Sequence, residues 1–192
     1  MPRFESAGLG GTAFHGSKFF YVGAQVGVTS FVIRFTQHAF PGTPEKTAAN
    51  TLKWHLFGFM IGRFAGSAVL KRIAAPKLLG LFSTAAALCT IVAIFTTGMA
   101  PVWAVVLLGF FDSILFPTIF ALGIKNLGAY TKVGSSLLLM SIIGGAIVPA
   151  IMGFISDQSS IQAAFAVPLF CYAVVIYFSF VGYQPSVATG ED

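Results

Sequence analysis

Residues 101–124 read PVWAVVLLGFFDSILFPTIFALGI, a run whose single charged side chain, Asp112, lies near its middle. A bilayer core about 30 Å thick needs roughly 20 consecutive apolar residues in a helix, and this run has that length and composition. An acid at the centre of such a helix costs about 2.5–3.5 kcal/mol to insert. The stretch therefore predicts a membrane span and raises the question of what Asp112 faces.

The composition of the whole chain agrees with this stretch. Its 192 residues are 56% hydrophobic and 9% charged, and the mean hydropathy is +0.86. A soluble domain carries about 25% charged residues, so this chain could not cover a water-soluble surface. Disordered chains are poor in aromatic residues, whereas this one has 15%. The composition indicates an integral membrane protein.

Further apolar runs predict an all-α membrane protein with six transmembrane helices. The predicted spans are about 18–37, 48–70, 77–97, 101–124, 133–155 and 161–183. They must be helical, because every backbone amide in lipid has to be satisfied internally. Residues 18–183 then form one six-span domain. A cytoplasmic N-terminal segment (1–17) and a cytoplasmic tail (184–192) flank it.

The lysines and arginines predict the orientation. An even number of spans places both termini on one side, with eight basic residues on or near it: Arg3, Lys18, Arg63, Lys71, Arg72, Lys77, Lys125 and Lys132. Three fall on the other side: Arg34, Lys46 and Lys53. The excess of positive charge marks the cytoplasmic side, so we expect a multi-pass protein of the plasma (inner) membrane with cytoplasmic termini. The net charge is +5, but the basic residues are scattered between apolar runs. They do not form the basic stripe that is typical of nucleic-acid binding.

The six spans divide into three plus three. The first span of each triplet is the more polar, which is the pattern of a transporter half whose first helices line a path. In the fourth span, Asp112 could bind a polar solute, a proton or a cation if it faces a wet cavity. The alternative is a structural hydrogen bond to a neighbouring helix. Phe116 shares a helix face with Asp112 and suits a sugar ring, the alternative being plain packing.

Span one carries Tyr21, Gln25 and Thr29 at intervals of four residues. An amide and hydroxyls on one stripe can both donate to and accept from the hydroxyls of a sugar. The alternative is hydrogen bonding between helices. His55, in span two, could relay protons or be a satisfied structural histidine.

Signatures of enzymes are missing from the sequence, which has no GxSxG, HExxH, CxxC or P-loop motif. Cys89 and Cys171 lie in separate apolar runs, where cysteine behaves as a small hydrophobe. We therefore expect no enzymatic activity, no cofactor and no metal site.

Several motifs resemble one transporter family. They are FYVGAQ (20–25), GRFAG (62–66), FPTIFALGIKNLG (116–128), TKVGSS (131–136) and IIGGAIVPAIMGFISD (142–157). They are similar to the fucose permease and glucose/galactose transporter family of sugar–proton symporters, within the major facilitator superfamily. The resemblance runs from about residue 20 to residue 183.

This resemblance implies the C-terminal six-helix half of a twelve-helix, proton-coupled sugar transporter that works by alternating access. Residues 1–17 would be a remnant of its central loop. Its partners would be a monosaccharide, protons, the lipid bilayer, and an N-terminal half or a second copy of the chain. The substrate-binding residues would be Tyr21, Gln25, Thr29, Asp112 and Phe116. Their own chemistry makes Asp112 and His55 the residues that could be linked to the proton, and the resemblance implies that Arg63, Lys125 and Lys132 belong to cytoplasmic gating loops. A truncated, non-transporting membrane fragment and a scaffold or channel-forming membrane protein are the alternatives.

Overall fold

The computed structural model describes residues 3–124 and 141–182, with side chains for residues 17–122 and 142–180. In these two segments the α-helices are α1 (Arg3–Ala39), α2 (Glu45–Val69), α3 (Ala75–Phe95), α4 (Met99–Asp112), α5 (Leu115–Ile124), α6 (Gly144–Gln158), α7 (Ile161–Ala164) and α8 (Ala166–Tyr177). A 3₁₀ turn (Ser141–Ile143) precedes α6, and a π turn (Phe178–Gly182) follows α8. The same two segments contain no β-strand.

The helices match the predicted spans. Four described stretches are long and apolar enough to cross a membrane: Ser17–Ala39, Ala75–Phe95, Met99–Leu122 and Ile161–Phe180. They correspond to predicted spans one, three, four and six. Helix α2 occupies the second span and is 25 residues long, but it also carries several charged residues. The 3₁₀ turn and helix α6 together cover the described part of the fifth span, and residues 133–140 of that span lie outside the described residues.

Helix α1 is 37 residues long and begins at Arg3. Its backbone is therefore continuous across the boundary predicted between residues 17 and 18. The cytoplasmic location of residues 1–17 and 184–192 stays a prediction.

The fourth span is broken into α4 and α5 four residues before a proline. Pro117 has no N–H, and its ring clashes with the carbonyl group four residues earlier, which belongs to Ser113. The helix breaks at this point, since α4 ends at Asp112 and α5 begins at Leu115. Hydroxyl groups bridge the break: Ser113 donates to the Phe110 carbonyl and Thr118 to the Ile114 carbonyl, both at 2.7 Å. Asp112 thus lies at a helix junction.

Glycines let the helices approach closely in two pairs, α1 with α6 and α2 with α4–α5. A methyl group at Gly27 would lie 2.5 Å from the Met152 sulfur, and one at Gly66 would lie 2.7 Å from the Ile114 side chain. The Gly-x-x-x-Gly patterns at 23–27 and 62–66 therefore pack helices together, which is their usual role in membranes.

The core lies where α1, α3, α4 and α8 meet. One cluster of buried apolar side chains joins α1, α3, α4, α6 and α8, and a second joins α1, α3, α5 and α8. Two tyrosines, Tyr21 and Tyr172, are the largest of its fully buried side chains. A tyrosine hydroxyl buried among apolar groups needs a hydrogen-bond partner, and both hydroxyls find one at Asp112.

Candidate functional site

A shallow groove opens between α1 and α2. It has a volume of about 210 Å³ and is lined by Gln25, Val26, Thr29, Ser30, Leu56 and Phe59. Two of the predicted binding residues, Gln25 and Thr29, are together here, and both are partly exposed. Ser30 was not predicted, although it is the polar neighbour of Thr29 in the sequence. The groove presents an amide and two hydroxyls beside an aromatic ring, which are the groups that bind a polyhydroxylated ligand.

Tyr21 does not line this groove. It is fully buried, and its hydroxyl donates a hydrogen bond of 2.5 Å to the main-chain carbonyl of Asp112. This carbonyl is at the C-terminal end of α4, where helices leave such groups without a partner in the helix. Tyr21 therefore ties α1 to the junction of α4 and α5.

Asp112 is fully buried. The Tyr172 hydroxyl lies 2.9 Å from its Oδ1 and 2.8 Å from its Oδ2, so an O–H group of α8 bridges both carboxylate oxygens. This contact is the hydrogen bond between helices that the sequence left open as the alternative. Tyr172 was not predicted as a partner of Asp112. The signal in the sequence was its polar hydroxyl within an otherwise apolar span. The role of Asp112 in binding substrate or protons stays a prediction.

Phe116 lies under a buried lysine. The Lys18 ammonium is 4.4 Å from the centroid of the Phe116 ring and 4.5 Å from that of Phe120. Among the described residues it has no hydrogen-bond partner. Two phenyl faces at this distance stabilise a cation through their quadrupoles. The Phe116 face predicted to stack on a sugar is therefore covered by Lys18 in this conformation.

His55 connects the groove to α4. Its side chain is 1% exposed. Its Nδ1 lies 2.8 Å from the Val105 carbonyl oxygen, and its Nε2 lies 3.2 Å from the Thr29 hydroxyl. The structure thus joins two predicted residues, His55 and Thr29, through a hydrogen bond that the sequence did not reveal.

Of the three predicted gating residues, only Arg63 lies in the described part of the chain. Arg63 lies inside α2, which continues to Val69; this agrees with the predicted second span (48–70) and differs from the loop position that the resemblance implied. The apolar run carries the helix past it, and its guanidinium lies 4.9 Å from the Phe59 ring centroid. Lys125 and Lys132 lie outside the described residues. A gating role for all three stays a prediction.

A second hollow, of about 420 Å³, is larger than the groove but contains none of the predicted site residues. Its lining comes from a single helix, α2: Asn50, Lys53, Trp54 and Phe57. These residues lie in the first half of α2, and tryptophan is enriched at membrane–water interfaces. We therefore place the candidate site in the groove of Gln25 and Thr29.

Comparison with solved structures defines the class of protein. The crystal structure of FucP, a major facilitator superfamily transporter in the outward conformation, superposes with a TM-score of 0.88 at 39% identity. The match covers 92% of this chain and 43% of FucP. The fold is therefore that of one half of a major facilitator transporter, which confirms the predicted six-helix, all-α membrane fold. No family model matches the chain.

Sequence relatives narrow the class further. The chain is 39% identical over 165 residues to a glucose/galactose transporter of Brucella abortus biovar 1 (strain 9-941). It is 42% identical over 164 residues to the L-fucose-proton symporter of Escherichia coli (strain K12). Each match covers 85% of this chain, but only 40% and 37% of the relatives. The chain is thus a membrane protein related to these sugar transporters, as its motifs predicted, and it spans about 40% of their length.

Proposed function

We propose that the chain is the C-terminal six-helix half of a proton-coupled transporter for a monosaccharide of the fucose, glucose or galactose type. The observation that carries this proposal is the groove on α1, where partly exposed Gln25 and Thr29 lie within a membrane span. Polar side chains at membrane depth normally face a bundle interior or a water-filled cavity, because lipid cannot solvate them. The names of the relatives support a sugar as the solute and a proton as the coupled ion.

The groove supports a role as one wall of a larger site. Small-molecule sites usually enclose about 300–1,000 Å³, and the groove has about 210 Å³. The relatives are more than twice as long as the matched segment. The missing wall would come from an N-terminal six-helix half or from a second copy of the chain, and the solute would be enclosed between the two halves.

Tyr21, Asp112 and Phe116 would act from behind this wall. All three lie at or next to the α4–α5 junction, and in this conformation their polar groups and ring faces are occupied by protein contacts. They would reach a sugar only if the junction shifted relative to α1. The break before Pro117 would be the hinge, since proline is a frequent cause of sharp helix kinks. A proton taken up by Asp112 would act on the contact with Tyr172.

Uptake by proteoliposomes tests the proposal. We expect saturable uptake of radiolabelled L-fucose, D-glucose or D-galactose when the chain is combined with an N-terminal half from a relative, and faster uptake with an inward proton gradient. Gln25→Ala should weaken apparent affinity roughly tenfold or more, the effect of losing one or two hydrogen bonds. Gln37→Ala is the matched control, because that amide lies at the far end of α1 and donates to the Thr43 carbonyl.

Two other results would contradict this function. Conduction that does not saturate with sugar concentration would favour a channel-forming protein. Absence of binding and uptake in every combination would favour a non-transporting fragment or scaffold. Unchanged affinity of Gln25→Ala would return that residue to a packing role.

Cysteine accessibility tests the proposed orientation. In a Cys89→Ala, Cys171→Ala background, Lys46→Cys and Lys71→Cys are matched variants at exposed positions that should lie on opposite sides. We expect a membrane-impermeant maleimide to label Lys46→Cys in intact cells. It should label Lys71→Cys only in inverted vesicles, because the positive-inside rule places that loop in the cytoplasm. Labelling of Lys71→Cys in intact cells would reverse the topology.

A further inference from the structure

We propose that His55 fixes the polarity of Thr29, so that Thr29 offers the groove only hydrogen-bond acceptors and selects a substrate hydroxyl that donates. His55 is thus a positioning residue and Thr29 a specificity-determining one. The inference rests on the proposed function for its substrate class, but its first step concerns the protein alone. Gln25, next to Thr29 in the groove, can both donate and accept hydrogen bonds. It would therefore bind a ligand group that donates or one that accepts.

The first step is the contact of His55 with α4. Its Nδ1 is 2.8 Å from the Val105 carbonyl oxygen. A carbonyl oxygen can only accept, so Nδ1 carries the proton. In a neutral imidazole with a protonated Nδ1, Nε2 is a bare acceptor.

The second step is the contact with Thr29. Its Oγ1 is 3.2 Å from Nε2, and a bare nitrogen requires that the hydroxyl donates. Other threonines of the described segments donate instead to the carbonyl four residues earlier in the chain: Thr36, Thr84, Thr90, Thr96 and Thr118. Thr29 turns its only proton towards another helix.

The surroundings of the His55 ring favour its neutral form. His55 is 1% exposed, and the hydrogen bonds described for it go to a carbonyl and a hydroxyl, not to a carboxylate. Burying a charge without a counter-charge is costly, so the surroundings suit the neutral ring. Gly109 holds this arrangement in place, because it lies directly against the His55 main-chain carbonyl.

The consequence concerns the ligand. A hydroxyl has one proton and two lone pairs, and the Thr29 proton is committed to His55. A sugar hydroxyl bound at Thr29 must therefore be the donor. Fluorine is a weak acceptor and cannot donate, so a deoxyfluoro analogue at that position should bind as poorly as the deoxy analogue.

Nitrogen NMR tests the polarity without any ligand. The chain with His15→Gln and His38→Gln retains His55 as its one histidine, and ¹⁵N-histidine labelling then reports both ring nitrogens. We expect a protonated Nδ1 and a bare Nε2, with the Nε2 signal shifting in Thr29→Val and staying unchanged in the control Thr84→Val. A protonated Nε2 overturns the proposal.

Competition by sugar analogues tests the consequence. In proteoliposomes containing the chain and an N-terminal half, deoxy and deoxyfluoro forms of the bound sugar compete with the radiolabelled parent. At one hydroxyl we expect both forms to lose roughly tenfold in affinity, the order of one hydrogen bond. Thr29→Val should abolish this penalty, and Thr29→Ser should retain it. In His55→Leu the freed hydroxyl can donate, so the fluoro form should bind several-fold better than the deoxy form.

Each outcome decides the proposal. A wild-type protein that binds the fluoro form like the parent at every position, or penalties that persist in Thr29→Val, overturns it. If no monosaccharide binds, the proposed function fails, whereas the NMR result still establishes or refutes the polarity of Thr29.

Discussion

Gly109→Ala is expected to destabilise the chain by about 1–3 kcal/mol, the usual cost of overpacking. On helix propensity alone, alanine should stabilise a helix by up to about 1 kcal/mol relative to glycine. At Gly109, however, the new methyl group would meet the main-chain carbonyl of His55, with the His55 Cγ only 3.1 Å away. A backbone cannot move aside as a flexible side chain can, so α2 and α4 must separate. Thermal unfolding of the detergent-purified chain measures the effect, and about 2–4 °C per kcal/mol is expected for a chain of this size.

Gly153→Ala is the matched control for this variant. Beyond its own turn of helix, a methyl group there would have no atom of the described residues within 4 Å, so propensity alone should act and the melting temperature should stay equal or rise. A Gly109→Ala variant that melts at or above the wild-type temperature would contradict the close packing of α2 on α4. The same variant should also shift the His55 ring signals, because Gly109 and His55 are in contact.

The fold was largely predictable, since it depends on hydropathy and length. Apolar runs of about 20 residues define spans whatever their neighbours are. Most described helix ends lie within a few residues of the predicted bounds, but α1 begins at Arg3, well before the predicted start at residue 18. The break between α4 and α5 was missed, although Pro117 was visible. A proline in a membrane helix can kink it or leave it continuous, depending on what satisfies the freed backbone groups, and here Ser113 and Thr118 form hydrogen bonds at the break.

The sequence predicted two residues of the groove, Gln25 and Thr29, but grouped Tyr21 with them. Spacing of four residues placed Tyr21, Gln25 and Thr29 on one stripe, but a helix turns about 100° per residue, so each step of four rotates the stripe by about 40°. Between Tyr21 and Thr29 this adds up to about 80°. Tyr21 therefore faces the core and Thr29 faces the groove. Ser30, next along the sequence, falls on the open side for the same reason.

Long-range partners were beyond the sequence. Lys18 was counted as a cytoplasmic charge, yet it lies on two phenyl rings from α5. For Asp112, the sequence narrowed the choice to a wet cavity or a hydrogen bond between helices, but the partner, Tyr172, is sixty residues away. Neither contact leaves a local pattern, because both depend on how helices distant in the sequence cross.

Tyr172→Phe is expected to cost about 1–3 kcal/mol, since it leaves a fully buried carboxyl group without the hydroxyl that bridges its two oxygens. An unsatisfied polar group costs more than the net worth of the bond that satisfied it. The ring itself is retained, so packing is preserved and the loss is electrostatic. Tyr177→Phe removes the same hydroxyl from the same helix at a side chain that is 66% exposed, and its melting temperature should match the wild type.

A double-mutant cycle identifies the cause of that loss. If the penalty comes from the buried carboxyl group left without a partner, Asp112→Leu should remove the penalty along with the carboxyl group. Adding Tyr172→Phe to Asp112→Leu should then cost at least about 1 kcal/mol less than Tyr172→Phe in the wild-type chain. Hydrogen bonds between membrane helices average only about 0.6 kcal/mol, so coupling of this size requires a desolvated partner. Additive effects would show that Asp112 finds water or another donor when Tyr172 is lost. Asp112 would then adjoin a cavity, as its predicted role in substrate or proton binding requires.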